Sequence, residues 1–209
     1  AFKENQGPFG TRAKAIELSD AEWYYQLDGD DVLPSNAIGD VINTILKNPE
    51  AEYIYGNCEH FSNNSSLVKK PISDSEVLCI SPMFISVSPI KISLFDRLGG
   101  FSDELFINAD WDFWLSVYEN NITGAYTDNL IYRRRQRFDN VGHTHMYLRP
   151  GIVEKIIERH PDYFDSDRRK NIARFSVYEK LARYYKSIGN RKNSAKYARE
   201  ALKYGNTIP

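Results

Sequence analysis

The order of apolar and polar residues predicts strands alternating with helices in the first part of the chain. Trp23–Leu27 is a continuous aromatic and apolar run, as expected of a buried strand. Pro34 opens a predicted helix, and Asn48-Pro49 ends it. Tyr53–Tyr55 predicts the next strand. The apolar residues of the intervening helix recur at helical spacing, at Ile38, Val41, Ile42, Ile45 and Leu46.

The middle of the chain predicts two further helices and another strand. Ile90–Leu98 has the length of a short helix, and Gly99-Gly100-Phe101 is typical of a turn. Asn108–Asn120 predicts a longer helix, and Leu130–Arg133 predicts a strand. One face of the longer helix is apolar, and its members are Trp111, Trp114, Leu115 and Tyr118.

The composition of the chain changes after Pro150, where we place a domain boundary. Residues 1–150 form the predicted α/β domain, and residues 151–209 form a helical tail without a strand signal. Within the tail, Leu181–Leu202 resembles one tetratricopeptide unit, and a plain helical hairpin fits the same residues. One unit cannot bury its own apolar face, so we expect it to pack on the first domain, on further repeats or on a partner protein.

Composition and charge place the chain among ordinary globular proteins. Hydrophobic residues make up 42% and aromatic residues 13%, enough to build a core. The net charge of -1 provides no overall field that would attract an anionic membrane or nucleic acid, so no nucleic-acid partner is expected. No run of 18 apolar residues is present, and no transmembrane helix is predicted. Cys58 and Cys79 lack metal or redox spacing and are interpreted as buried free thiols, with a disulfide as the alternative.

Three carboxylates follow the first predicted strand within four residues, in Asp28-Gly29-Asp30-Asp31. Carboxylates this close repel one another unless a cation neutralises them, and a hard divalent ion prefers oxygen ligands. Ligands of open α/β sheets bind outside the carboxyl ends of strands, where this cluster is expected. The alternative interpretation is an acidic surface turn that caps the following helix.

A series of ordered motifs resembles glycosyltransferase family 2 over roughly residues 3 to 160. The series begins with an Asn-x-Gly loop and an Arg, continues with the strand and acidic element followed by Pro, and ends with a Tyr-Arg pair. The matching segments are, in order, Asn5–Pro8 with Arg12, Trp23–Pro34, Phe95–Glu104, Asn108–Leu115 and Tyr132-Arg133.

The resemblance implies a GT-A fold, which is a Rossmann-like α/β core, and an inverting sugar transfer to an acceptor hydroxyl. The implied donor is a nucleotide-diphospho-sugar, and a divalent metal, Mn2+ or Mg2+, stabilises the leaving diphosphate. The implied acceptor is a glycan or a lipid-linked molecule, in the synthesis of a bacterial surface polysaccharide or a similar glycan. The implied location is the cytoplasm, including the inner face of the membrane.

The same resemblance assigns roles to the acidic element and to the helix before it. It places Asp28 and Asp30 in the metal and nucleotide site, with Asp30 as the more direct ligand. Asp31 is a supporting residue beside the ligands. Arg12 either contacts the nucleotide or is a solvated helix residue, and both interpretations stay open.

Asp110 matches the second acid of the family's acidic pair and is the expected general base. It also suits a cap of the helix that follows, and the two roles are compatible. Ala109 departs from the family, which usually carries another acid there. Trp111 and Trp114 could stack on a sugar ring, but their helical spacing favours the core, above all for Trp114.

Two polar segments late in the domain have both a functional and an ordinary interpretation. His143 and His145 alternate, so an extended chain would place them on one face as metal or phosphate ligands, or they are polar surface residues. Arg133–Arg137 could close over a diphosphate, or it is a solvated basic loop.

A complete GT-A domain begins with a βαβ portion that binds the donor base and ribose, and the sequence is expected to lack it. Only four residues precede Asn5. Activity is therefore assigned to the parent protein. The competing hypothesis is a non-catalytic interaction scaffold derived from a GT-A domain, which Asp28, Asp30 and Asp110 disfavour and Ala109 favours.

Overall fold

The computed structural model describes residues 7–62, 66–69, 78–79, 87–136 and 144–205, and these have a mixed α/β fold. They divide into two compact units. The first is drawn from Ala1–Ser73 and Pro82–Arg137, and the second from Asp74–Ser81 and Phe138–Pro209. Four of the residues singled out above lie outside the described ranges, namely Asn5, Gln6, Arg137 and His143.

The first unit contains one sheet and the helices around it. Its strands are β1 Trp23–Tyr24, β2 Tyr53–Phe61, β3 Ser66–Lys69, β4 Ile90–Lys91 and β5 Gly124–Arg135. Its helices are α1 Gly7–Glu17, α2 Ala37–Lys47, α3 Ile92–Arg97 and α4 Ala109–Glu119.

The sheet is mixed, and three of its strands run in the same direction. β4 lies between β1 and β2 and is antiparallel to both. β5 is parallel to β2, from Tyr53 opposite Gly124 to Phe61 opposite Arg135. β1, β2 and β5 therefore end at the same edge of the sheet, which is the edge where ligands of α/β proteins bind.

Each face of the sheet packs on a separate apolar cluster. Successive residues of β2 point to opposite faces. Tyr53 contacts the first cluster, where its ring lies 5.2 Å from the ring of Trp114. Ile54 belongs to the second cluster, beside α2. The buried members of the first cluster are Ile16, Ile90, Leu94, Phe95, Phe113, Trp114 and Val117, and those of the second are Val41, Ala51, Ile54, Ala125 and Ile131.

The predicted strand Trp23–Leu27 is wrong in its length. Only Trp23 and Tyr24 pair in the sheet, because their partner β4 is itself two residues long. Tyr25 instead contacts β5 through its side chain, whose hydroxyl donates to the carbonyl of Ile131. Leu27 is 49% exposed, so the run is not buried along its full length.

The structure confirms the predicted helices α2 and α4, but the apolar residues of α2 do not form one buried face. α2 ends at Lys47, as the Asn48-Pro49 pair predicted, but it begins at Ala37. Its apolar residues divide between two sides, since Val41 is buried while Ile38, Ile42 and Leu46 are exposed. On α4, the core position favoured for Trp114 is confirmed, and Trp111 is buried as well.

The second unit is helical. It contains α5 Arg149–Arg159, α6 Asp167–Ser187 and α7 Arg191–Gly205. α6 and α7 form a hairpin whose turn includes Gly189 at φ +76°, as Gly189-Asn190 predicted. The tetratricopeptide likeness and a boundary near residue 150 stay predictions.

Two smaller expectations can be compared with the described residues. Cys58 and Cys79 are both buried free thiols, as interpreted from their spacing. In the part of the chain that the structure describes, no helix is both long enough and apolar enough to cross a bilayer.

Candidate active site

Asp28–Asp31 forms a tight turn that is fastened to the carboxyl end of β5. The backbone N–H of Asp31 donates to the carbonyl of Asp28 at 3.0 Å, which closes the turn. Val32 and Arg133 then exchange two backbone hydrogen bonds of 3.0 and 2.9 Å. The acidic residues therefore lie at the edge where β1 and β5 both end.

Asp28 is held by α1. Its Oδ1 accepts from the Arg12 guanidinium at 2.6 Å and from Gln26 Nε2 at 3.0 Å. The side chain of Arg12 is only 18% exposed, and its guanidinium lies 5.1 Å from the centre of the Phe9 ring. Arg12 is therefore fixed by an ion pair, while its contact with a nucleotide stays a prediction.

Asp31 is held by β5 on both carboxylate oxygens. Oδ2 accepts from the Tyr132 hydroxyl at 2.9 Å, and Oδ1 accepts from the backbone N–H of Arg135 at 2.7 Å. Burial raises the pKa of Asp31, and these two hydrogen bonds act against that rise. With both oxygens engaged by the protein, Asp31 has the geometry of a supporting residue.

Tyr132 is a site residue to which the sequence assigned no role. Its side chain is 0% exposed, and its hydroxyl also accepts from the backbone N–H of Asp28 at 3.2 Å. A single hydroxyl thus connects Asp28 to Asp31. The available signal was a tyrosine at the end of an apolar strand, directly before a run of arginines.

The basic segment is part of a strand rather than a loop over the described residues 133–135. Arg133 forms an ion pair with Glu59. The guanidinium of Arg135 lies 4.6 Å from the centre of the Phe61 ring, and its Nε donates to the carbonyl of Asp30 at 2.9 Å. The segment escaped prediction as a strand because charged residues at the end of β5 hide the apolar pattern.

Asp110 lies at the start of α4. Its Oδ1 accepts from the backbone N–H of Trp111 at 3.0 Å, so it does contact the amino end of the helix. Asn108, in the left-handed conformation with φ 65°, precedes the helix and turns the chain into it. Ala109 is 0% exposed, so a carboxylate at that position would be enclosed by protein.

Electrostatics connect Asp110 with Asp28. Burial raises the pKa of Asp110, while the charges of Arg12 and Arg134 and the Trp111 N–H lower it. Arg12 is the same residue that binds Asp28. The charge of Arg12 therefore acts on both Asp28 and Asp110.

His145 belongs to the second unit, where its Nδ1 lies 3.0 Å from Thr144 Oγ1. Within the described residues, no group of three or more His, Cys, Asp or Glu side chains is arranged to hold a metal ion. The turn nevertheless offers carboxylate oxygens, which are the ligands that a hard divalent ion prefers. Asp28 and Asp30 could supply two of its ligands.

Comparison with known proteins supports a glycosyltransferase-like chain. No protein-family profile matches it. An uncharacterized glycosyltransferase of Haemophilus influenzae is 27% identical over 133 residues, which is 60% of this chain and 45% of that protein. The chain therefore spans less than half the length of this curated relative.

Solved structures show the same fold. A crystal structure of residues 1–349 of S. aureus TarS gives a TM-score of 0.53 at 13% identity, covering 97% of this chain and 73% of the other. A longer TarS structure gives 0.59 at 14% identity, covering 100% of this chain and 38% of the other. The relative supports sugar transfer, and the two structures support the fold.

Proposed function

We propose that this chain carries the catalytic centre of a metal-dependent, inverting glycosyltransferase. The observation that supports the proposal best is the position of Arg12, which binds Asp28 at 2.6 Å and acts electrostatically on Asp110. Asp28 and Asp110 are distant in sequence, and the resemblance implies a role in sugar transfer for each of them. An acidic surface turn that only caps the following helix would not need an ion pair between Asp28 and a largely buried arginine of α1.

The donor site in this proposal lies at the Asp28–Asp31 turn. Asp28 and Asp30 would hold the divalent ion, and further ligands would have to come from the donor and water, because two carboxylates are too few for a hard divalent ion. When bound, the ion neutralises charge that develops on the leaving diphosphate. Tyr132 and Arg135 keep the turn in place through Asp31.

Arg12 and Arg134 supply positive charge beside the same site. Burial raises the pKa of Asp110, and the positive charges of both guanidinium groups act against that rise. Guanidinium matches the geometry of phosphate oxygens. We therefore assign the two arginines to orientation of the diphosphate end of a nucleotide-diphospho-sugar.

Asp110 acts as the general base of the proposed reaction. It accepts the proton of the acceptor hydroxyl while the hydroxyl oxygen attacks the anomeric carbon on the face opposite the leaving diphosphate, which inverts the configuration. Burial raises the pKa of Asp110, so it ionises at higher pH than an ordinary Asp and holds a proton more strongly. Arg12, Arg134 and the Trp111 N–H limit that rise and favour the ionised base.

The wider setting that we propose is synthesis of a bacterial surface polysaccharide or a similar glycan. The acceptor would be a glycan or a lipid-linked molecule, and the protein would act in the cytoplasm or at the inner face of the membrane. The curated relative is a bacterial glycosyltransferase, which supports only the bacterial part of this setting.

Calorimetry with nucleoside diphosphates tests the donor site. We expect binding of at least one nucleoside diphosphate by the protein to require Mn2+, because the ion and the diphosphate share a site. Asp28→Asn should abolish that binding, whereas Asp20→Asn, at an exposed position before β1, should leave it intact. Absence of metal-dependent binding to every nucleoside diphosphate would exclude the donor site that we propose.

A further inference from the structure

The charges of the chain are strongly segregated, although its net charge is only -1. Asp167–Gly205, which contains α6 and α7, has twelve Lys and Arg residues and three Asp and Glu residues. The segment 180–199 has seven basic residues and not one acid. This segment therefore produces a local positive field, although the net charge of the whole chain is close to zero.

Most of this positive charge is exposed at the hairpin and around its turn. Lys186, Arg191 and Lys192 flank the turn, and all three are exposed. Arg183, farther along α6, has an 80% exposed side chain and forms an ion pair with Glu179. The basic residues exposed in segment 180–199 are Arg183, Lys186, Arg191, Lys192, Lys196 and Arg199.

An exposed apolar residue lies in the turn, between Lys186 and Arg191 in the sequence. Ile188 is 56% exposed, in the turn between α6 and α7. An apolar tip surrounded by Lys and Arg is suited to the boundary between lipid headgroups and acyl chains. A nucleic acid would use the cations but would have no need of the isoleucine, so a lipid surface explains more of the arrangement.

The hairpin is also internally ordered. The rings of Tyr178 and Tyr204 are stacked at 5.8 Å, and those of Tyr185 and Tyr197 at 5.4 Å. Ser194 Oγ donates to the carbonyl of Ala182 at 2.9 Å and ties α7 to α6. Contacts of this kind hold the two helices, and therefore the backbone positions that carry the cations, in a fixed arrangement.

We propose that the turn of the α6–α7 hairpin docks on an anionic lipid surface. Lys186, Arg191 and Lys192 contact the headgroups, and Ile188 inserts between them. This inference is independent of the proposed sugar transfer, because it depends only on the charge, exposure and packing of the hairpin.

Sedimentation of the full chain with vesicles tests the proposal. We expect the chain to bind vesicles of phosphatidylglycerol and phosphatidylcholine, and to bind phosphatidylcholine alone far more weakly. The double variant Lys186→Gln, Lys192→Gln should lower the partition coefficient on anionic vesicles roughly 30-fold, since each surface cation contributes about 1 kcal/mol. High salt should release the wild type.

Two further variants separate the possible partners. Lys47→Gln with Lys155→Gln makes the same change in net charge at exposed positions outside the hairpin, and should retain binding. Ile188→Ser should weaken vesicle binding without changing the charge. The proposal is overturned if the control double variant loses as much binding as the hairpin variant, or if Ile188→Ser has no effect. It is also overturned if the wild type binds an RNA homopolymer but not anionic vesicles, or binds neither.

Discussion

The Tyr132 hydroxyl accepts from the Asp28 N–H and donates to the Asp31 carboxylate. Burial raises the pKa of this phenol, so the hydroxyl keeps its proton and can act as a donor throughout the physiological range. The sequence indicated which residues carry negative charge and matched Tyr132 to a family motif. It could not indicate the role of Tyr132, because that role depends on pairing between segments about a hundred residues apart. The connection between Arg12 and Asp110 depends on the fold in the same way.

Tyr132→Phe should therefore loosen the acidic turn while the ring still fills the core. We expect the free energy of unfolding to fall by about 1 to 3 kcal/mol, because a buried hydrogen bond to a carboxylate is lost and the Asp28 N–H loses its acceptor. Denaturant titration measures the change, and Tyr147→Phe, at a 58% exposed position, is the control. Equal stability of the Tyr132→Phe variant and the wild type would show that the two hydrogen bonds of the Tyr132 hydroxyl contribute nothing to the free energy of unfolding.

At the scale of elements, helices were predicted correctly where apolar residues recur at helical spacing and a helix-breaking pair such as Asn48-Pro49 follows. The Asn48-Pro49 end of α2 is a local signal and was confirmed. On α4, the predicted burial of Trp111, Trp114 and Leu115 was confirmed, whereas Tyr118 is 41% exposed. β1 was overestimated because an aromatic run alone does not reveal how short its partner strand is. β5 was underestimated because it continues to Arg135, where charged residues conceal its pairing with β2.

The turn after α3 offers a matched pair of glycines. Gly99 and Gly100 both have positive φ, at 79° and 68°. A Cβ on Gly100 would lie 2.7 Å from Cε1 of Phe95, whereas a Cβ on Gly99 would have open space. Phe95 belongs to the core cluster that also contains Phe113 of α4, so a change there would reach the helix that carries Asp110.

Gly99→Ala should cost about 1 kcal/mol of stability, because alanine is strained at positive φ. Gly100→Ala should cost about 1 to 3 kcal/mol more, since Phe95 must also move. Thermal unfolding of the two variants measures the difference. If both lose the same stability, the contact with Phe95 does not constrain the turn.

At the scale of the whole molecule, two compact units carry different chemistry. The first collects carboxylates and arginines at the edge of the sheet where β1 and β5 end. The second presents a basic helical hairpin. Sequence patterns located α2, α3 and α4 and indicated a helical tail, whereas the strand order and the hydrogen bonds that connect the acidic residues required the fold.

The most direct measurement compares Asp110→Asn with the wild type in donor binding and in sugar transfer. A general base contributes roughly 100- to 10,000-fold to the rate, so we predict a loss of that size in transfer with nearly unchanged affinity for the nucleoside diphosphate and Mn2+. Asp96→Asn, at an exposed position on α3, should change neither quantity. Full transfer by Asp110→Asn, or an equal loss of donor binding and transfer, would contradict the assignment of Asp110 as the base.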